Sequence, residues 1–387
     1  MKVVLSTAGR FHMFALAREL ERYGVLECIY SGFPWTALKR ERLDRARVKT
    51  FPYVRPFQML SGRLPVPIPR GAIETVHHLS LTTLDTYVRA TLPECDVFVG
   101  HEGAGLWSGR AAQGRGIRYV CDRGCSHMGW KETLLEEEYD RVGLLYPGRP
   151  RTYDREIAEY EAANLIVVPS GFARDSFIAS GISPARVATV PYGVNLDNFH
   201  PVGRERSERF DVLFVGGLSV RKGAHDLFSA FDRLSHPHKR LTVAGTISAE
   251  IREALSGPLG RPDVRVMGPV PHLSLKALMT NSDVLVLPSI EDGFGMVLVE
   301  ALACGCPIIA TTNTGGPDLI TDGVEGNIVP IRAPDYIAER LQRLADDPDL
   351  QKQMSRSAAL KARAIGGWRD YGTAMVATYE SLLGGRS

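Results

Sequence analysis

Short apolar runs alternate with segments of helical periodicity from end to end of this chain, which restricts it to an α/β fold built on mostly parallel sheets. The first pair sets the pattern. Val3-Val4-Leu5 reads as a buried strand, and Met13, Leu16, Leu20 and Tyr23, spaced three, four and three apart, read as one face of a helix closed by Gly24. Further strand-like runs fall at 96–99, 117–121, 165–168 and 187–190. A polar stretch with little periodicity follows Pro191. The alternation then restarts at 212–215 and continues through 241–244, 264–267, 284–287 and 308–310, with helical segments such as 227–234 between. A chain of 387 residues holds two domains of ordinary size. The interruption therefore separates a doubly wound domain at 1–191 from a second at 210–367, joined by a connection at 192–209. Beyond Gly366-Gly367, residues Tyr371, Met375, Tyr379 and Leu382 recur at helical spacing and form a last amphipathic helix.

Charge and cysteine content narrow the function classes. A formal net charge of +2 lacks the concentrated basic excess of a nucleic-acid binder. Locally, Lys39, Arg40, Arg42, Arg45, Arg47, Lys49, Arg55, Arg63 and Arg70 face only Glu41 and Asp44, with Phe51, Tyr53 and Phe57 interleaved. A solvated face accounts for such a run, and so does a patch at 39–70 that docks peripherally on anionic membrane or on a phosphorylated acceptor. The six cysteines have no framework spacing, and Cys121 and Cys125 have no second ligand pair, so the expectation is free thiols and a reducing cytoplasm. The opening apolar run is too short for a secretory leader, and no stretch approaches the ~20 residues that span a bilayer. Any association with the inner face of the membrane would be peripheral.

In open parallel sheets ligands bind beyond the carboxyl ends of the strands, where helix N-termini expose unpaired amides. Four such ends carry suggestive residues. The first runs from Ser6 through Gly9 to His12, where Gly9 lets the backbone approach a phosphate; a plain tight turn explains it equally well. The second, His101-Glu102-Gly103-Ala104-Gly105, imitates a dinucleotide fingerprint together with Ser108 and Asp122. Ser108 stands where the third glycine belongs, which argues against a dehydrogenase. His101 sits at a strand end and either faces a ligand or is a histidine without a role. The third, Gly216-Gly217-Leu218-Ser219-Val220-Arg221-Lys222-Gly223, offers small residues, amides and cations to a diphosphate, with Lys222 as the expected contact. It lacks the spacing and hydroxyl of a Walker loop.

The fourth is the most informative. The segment Pro288-Ser289-Ile290-Glu291-Asp292-Gly293-Phe294-Gly295-Met296 leads into a helix, from about Phe294 to Cys304, that is apolar on every face and so should be buried. Glu300 is its one charge. A buried unpaired carboxylate costs several kcal/mol, so Glu300 needs a partner, either an internal cation or donor or the vicinal hydroxyls of a ligand's ribose. Asp292 either meets sugar hydroxyls, together with the Gly293 and Gly295 amides, or simply caps the helix. The strand at 308–310 ends in Gly315-Gly316-Pro317, whose loop would close the same cleft. Asp347-Pro348-Asp349 follows no strand and reads as a turn rather than a metal-binding pair. Asp122, Arg123, Ser126 and His127, after the strand at 117–121, line the acceptor side or form a structural hydrogen-bond cluster, and His12 joins them as an acceptor-side candidate.

With these residues in view, the chain resembles the family 4 (group 1) retaining glycosyltransferases of the GT-B fold, most strongly from Val212 to Pro330. The resemblance implies two Rossmann-like domains facing across a cleft. The acceptor lies on the first, the nucleotide-sugar donor on the second, and the C-terminal helix, about 368–387, crosses back to the first. Lys222 matches the family's diphosphate lysine, Glu300 its ribose glutamate, Gly9 the glycine that approaches the diphosphate, and His101 its cleft histidine. Gly216, Gly217, Arg221, Glu291, Asp292, Gly293, Phe294, Gly295 and Met296 complete the expected donor site, with His101, Lys222, Asp292 and Glu300 as its catalytic members. Two departures stand out. The family's first paired acid is glutamate, whereas here Glu291 precedes Asp292, leaving open which one reaches the sugar. Gly217 stands where the family has arginine, a charge that Arg221 is placed to supply. The implied reaction retains the anomeric configuration, needs no metal or other cofactor, and moves sugar from a nucleotide-diphosphate sugar to a glycan, lipid-linked or small-molecule acceptor, in polysaccharide or glycoconjugate synthesis. A nucleotide-sugar epimerase of the same fold and a non-catalytic sugar-nucleotide or glycan-binding homologue are the alternatives.

Overall fold

The computed structural model describes residues 1–56, 69–203 and 208–384. Phe57 and Arg63 of the basic run, and Arg204 and Arg206 of the connection, lie outside them. Within these residues two parallel sheets account for the strands. The first contains β1 (Val3–Thr7), β2 (Leu26–Ser31), β3 (Val48–Thr50), β4 (Val97–His101), β5 (Arg118–Asp122), β6 (Leu165–Val168) and β7 (Val187–Thr189), in the order β3-β2-β1-β4-β5-β6-β7. The second contains β8 (Phe210–Val215), β9 (Lys239–Ala244), β10 (Val264–Gly268), β11 (Val284–Leu287), β12 (Ile308–Thr311) and β13 (Gly326–Val329), in the order β10-β9-β8-β11-β12-β13. In each sheet the strand order reverses once, between β1 and β4 and between β8 and β11. Loops leaving the carboxyl ends on either side of such a reversal diverge and leave a crevice. The four loops singled out from sequence leave β1, β4, β8 and β11, the strands flanking those two crevices.

The central strands are covered on both faces, which is why they read as unbroken apolar runs: all five residues of β1 and all four of β11 are buried. The strands at 26–31, 48–50 and 326–329 are additions to the sequence reading. Each carries residues that weaken the apolar signal: Glu27 within β2, Lys49 in the three-residue edge strand β3, and the poor strand formers Gly326-Asn327 in β13. The apolar helix begins at Met296, two residues later than expected, because Gly295 sits in the left-handed region at φ 74°. Six of its eight residues are buried, Glu300 among them. Asp347 caps the following helix through the amides of Asp349 and Leu350, as suits the turn reading.

The last helix, Trp368–Gly384, lies on the first domain against Phe11–Arg22, with Tyr371, Met375 and Tyr379 buried. Tyr23 Oη and Thr373 Oγ1, 2.7 Å apart, share a hydrogen bond across this contact. In the basic run, Arg45 stacks over Trp35, Lys49 donates to the Tyr30 hydroxyl and Arg47 approaches Glu27, so part of it is stitched into the first-domain surface. Among the described residues no helix is long and apolar enough to cross a membrane.

Candidate functional site

On the first-domain side, the turn after β1 is closed by Thr7, whose Oγ1 accepts from the Gly9 amide at 3.1 Å. His12 follows in the first turn of the helix. Its Nε2 lies 2.6 Å from Asp122 Oδ1, and its ring stacks on Tyr192 at 4.4 Å. The His101 ring lies 5.3 Å from that of His12. Burial pushes the His101 pKa down, so at neutral pH the ring is an uncharged hydrogen-bonding group. Among the described residues, His12, His101 and Asp122 also bring three ligand-type atoms within 4.8 Å of one another.

On the second-domain side, the two adjacent acids face different ways. Glu291 is fully buried. Its Oε1 accepts from the amide and hydroxyl of Ser126, on the other domain, at 3.1 and 2.8 Å, and its Oε2 accepts from Arg221 at 3.0 Å. Asp292 is ion-paired with Lys222 and accepts from the Gly295 amide at 3.1 Å. Burial would raise both carboxyl pKa values. Arg221 and Lys131 beside Glu291, and Lys222 and Arg221 beside Asp292, outweigh it and hold both below the usual range. Asp292 lines a cavity of about 300 Å³ between the domains together with His12, His101, Tyr192 and Arg221. Of the two acids, Asp292 is the one exposed to that space, while Glu291 ties its own loop to the first domain. The same boundary is tight at Gly293, where any side chain would meet the backbone of Gly124 and Cys125.

Phe294, Gly295 and Met296 line the same cavity at the start of the apolar helix, whereas Gly216 and Gly217, which follow β8, are not part of its lining. Glu300, 7% exposed, has an internal partner: His272 Nε2 lies 2.8 Å from its Oε1. The hydrogen bond to Glu300 raises the His272 pKa against a smaller opposing effect of burial. Sequence reasoning demanded a partner but did not find this one. The two residues are 28 positions apart and on different elements, so no spacing rule links them.

The fingerprint-like loop after β4 is occupied from within. The Gly103 and Gly105 amides donate to the two oxygens of the buried Glu159 at 2.7 and 2.8 Å, so they are not available to a pyrophosphate. Gly100, Gly105 and Gly109 make room for the Tyr119 ring, which supplies a packing reason for glycines in this stretch. Arg123 and His127 also turn inward. Arg123 is ion-paired with Glu156 and lies over the Tyr160 ring, while His127 accepts from the Gly129 amide and packs between Tyr160 and Phe177. Asp122 stands behind His12, Ser126 is taken up by Glu291, and of the five acceptor-side candidates only His12 lines the cavity. The six cysteines are free thiols.

Residues 196–361 match the model of the family described as glycosyl transferases group 1. A D-inositol 3-phosphate glycosyltransferase of Catenulispora acidiphila is 34% identical over 254 residues. That match covers 60% of this chain and 60% of that protein, so it spans less than two thirds of the relative's length. Among solved structures, sucrose-phosphate synthase from Thermosynechococcus elongatus superposes with a TM-score of 0.73 at 19% identity, covering 99% of each chain. HepE of Anabaena, determined in complex with UDP and glucose, does so with a TM-score of 0.70 at 16% identity, covering 98% of this chain and 100% of that one. At such identities the superpositions speak to the fold.

Proposed function

We propose, from the premise that this chain belongs to the group 1 glycosyltransferases of the GT-B fold, that it transfers a hexosyl group from a nucleotide-diphosphate sugar to an acceptor hydroxyl, with retention and without a metal. The observation that carries this reading is that Asp292, ion-paired with Lys222, and the start of the helix Met296–Ala303 line one interdomain cavity together with His101. The diphosphate would take Lys222 from Asp292 and meet the amides that begin the helix, where backbone N–H groups favour negative charge. Asp292, released from the lysine, would accept sugar hydroxyls, with the neutral His101 ring on the opposite wall. Ribose hydroxyls would compete with His272 for Glu300.

In the transfer, the bond between the anomeric carbon and the diphosphate oxygen breaks as the acceptor oxygen approaches on the same face, and the acceptor proton passes to a phosphate oxygen. Lys222 and the helix-start amides stabilise the charge that develops on the leaving group. The chain would act in glycoconjugate or polysaccharide synthesis on a glycan, lipid-linked or small-molecule acceptor.

A thermal-shift screen against nucleotide sugars tests donor binding, because a ligand at 100 times its dissociation constant adds about 2.7 kcal/mol of stability. Lys222→Ala should lower transfer about 100- to 1,000-fold, as expected when one charge-stabilising donor is lost. EDTA should leave the rate unchanged. Near-normal turnover of a folded Lys222→Ala variant would sink the assignment.

A further inference from the structure

Beside the donor-side cavity lies a larger one of about 540 Å³, bounded by the first-domain helix Met128–Arg141 with its following loop and by the second-domain residues Ser219 and Glu250. Arg221 lines both cavities, so the two adjoin at the loop held by Glu291. Two aromatic rings form part of the larger wall: Tyr139 and Tyr146 meet edge to face at 5.8 Å. Their hydroxyls point to carboxylates. Tyr146 donates to Glu132, and Tyr139 donates across the domain boundary to Glu250 Oε1 at 3.4 Å.

Among the described residues, the cations that line this space are engaged already. Arg70 binds Glu74 at 2.6 Å and the Gly148 carbonyl at 3.3 Å, Lys131 Nζ lies 3.8 Å from Glu132, and Arg221 is held by Glu291. A phosphate entering here would have to break ion pairs and face Glu132 and Glu250. A sugar ring would not. Its hydroxyls find carboxylate and phenol partners, and its polarised C–H face suits the negative face of an aromatic ring.

We propose that this cavity is the acceptor subsite and that it takes an uncharged, hydroxyl-rich sugar ring lying on Tyr139 and Tyr146, in preference to a phosphorylated polyol. The inference rests on reading the adjoining cavity as the donor site, since only then does an acceptor here lie next to the transferred sugar.

The test is saturation-transfer NMR on the full chain with methyl α-D-glucopyranoside, methyl α-D-mannopyranoside, maltose and cellobiose, against glucose 6-phosphate and mannose 6-phosphate. At least one neutral sugar is expected to bind ten times more tightly than either phosphate. Tyr139→Ala and Tyr146→Ala, each checked for an unchanged melting temperature, should weaken that binding tenfold or more. Tyr146→Phe, which keeps the ring, should retain most of it and guards against a folding defect. Equal or tighter binding of the phosphates, no binding by any neutral sugar, or unchanged binding in both alanine variants overturns the proposal. The thermal shift given by nucleotide sugars should be unaffected by these substitutions. Its absence in the wild type would remove the donor reading while leaving the sugar-binding result readable on its own.

Discussion

Glu291→Ala removes one of the carboxylates that join the two domains, and its cost follows from what is stranded. The amide and hydroxyl of Ser126 lose their acceptor in a fully buried spot, which costs about 1–3 kcal/mol. Arg221 loses its counter-charge, but its side chain is 39% exposed, so water takes up most of that loss and the ion pair adds only about 0–1 kcal/mol. The expected destabilisation is therefore about 1–4 kcal/mol in urea unfolding. Glu291→Gln, which keeps one acceptor, should cost less. The effect should also depend on pH. The folded-state pKa of Glu291 lies below its ordinary 4.5, so the ionised carboxylate's contribution is full above that value and disappears as pH falls through the depressed one. A double-mutant cycle with Ser126→Ala should give a coupling of at least about 0.5 kcal/mol. A Glu291→Ala variant as stable as the wild type, or additive effects with Ser126→Ala, would refute the idea that this carboxylate fastens the domains.

Glu300→Ala should weaken nucleoside-diphosphate binding about 10- to 100-fold in calorimetry, the worth of hydrogen bonds to a charged acceptor at about 1.5–3 kcal/mol, and unchanged affinity would remove Glu300 from the donor site. The His272 pKa is raised above 6.5 by Glu300, so their pairing stabilises the fold fully below pH 6.5 and less as pH rises through the raised value. The melting-temperature gap between wild type and His272→Ala should accordingly be wider at pH 6 than at pH 9, and a gap independent of pH would contradict the pairing. Gly293→Ala puts a methyl group against the Gly124 carbonyl of the other domain and should hold the domains apart, raising the radius of gyration in small-angle scattering. An unchanged scattering curve together with normal stability would show that the boundary yields there.

The sequence by itself determined the α/β class, the interruption between two doubly wound sheets and the four loops at their carboxyl ends. These are local properties, since periodicity and glycine placement are read within windows of ten or twenty residues. It also determined that the helix carrying Glu300 is buried and that this carboxylate needs a partner, because an apolar helix with one charge states that problem without reference to the rest of the chain. Three things were decided only by the tertiary structure. His272 was supplied from 28 residues away, Glu159 took the amides of the fingerprint-like loop, and the two adjacent acids were turned apart, Glu291 to Ser126 and Asp292 to the cavity. Neighbours in sequence carry no record of which way two adjacent carboxylates turn. That direction depends on which donors the opposite domain brings within about 3 Å, and hydrogen bonding is too short in range for the sequence pattern to encode it.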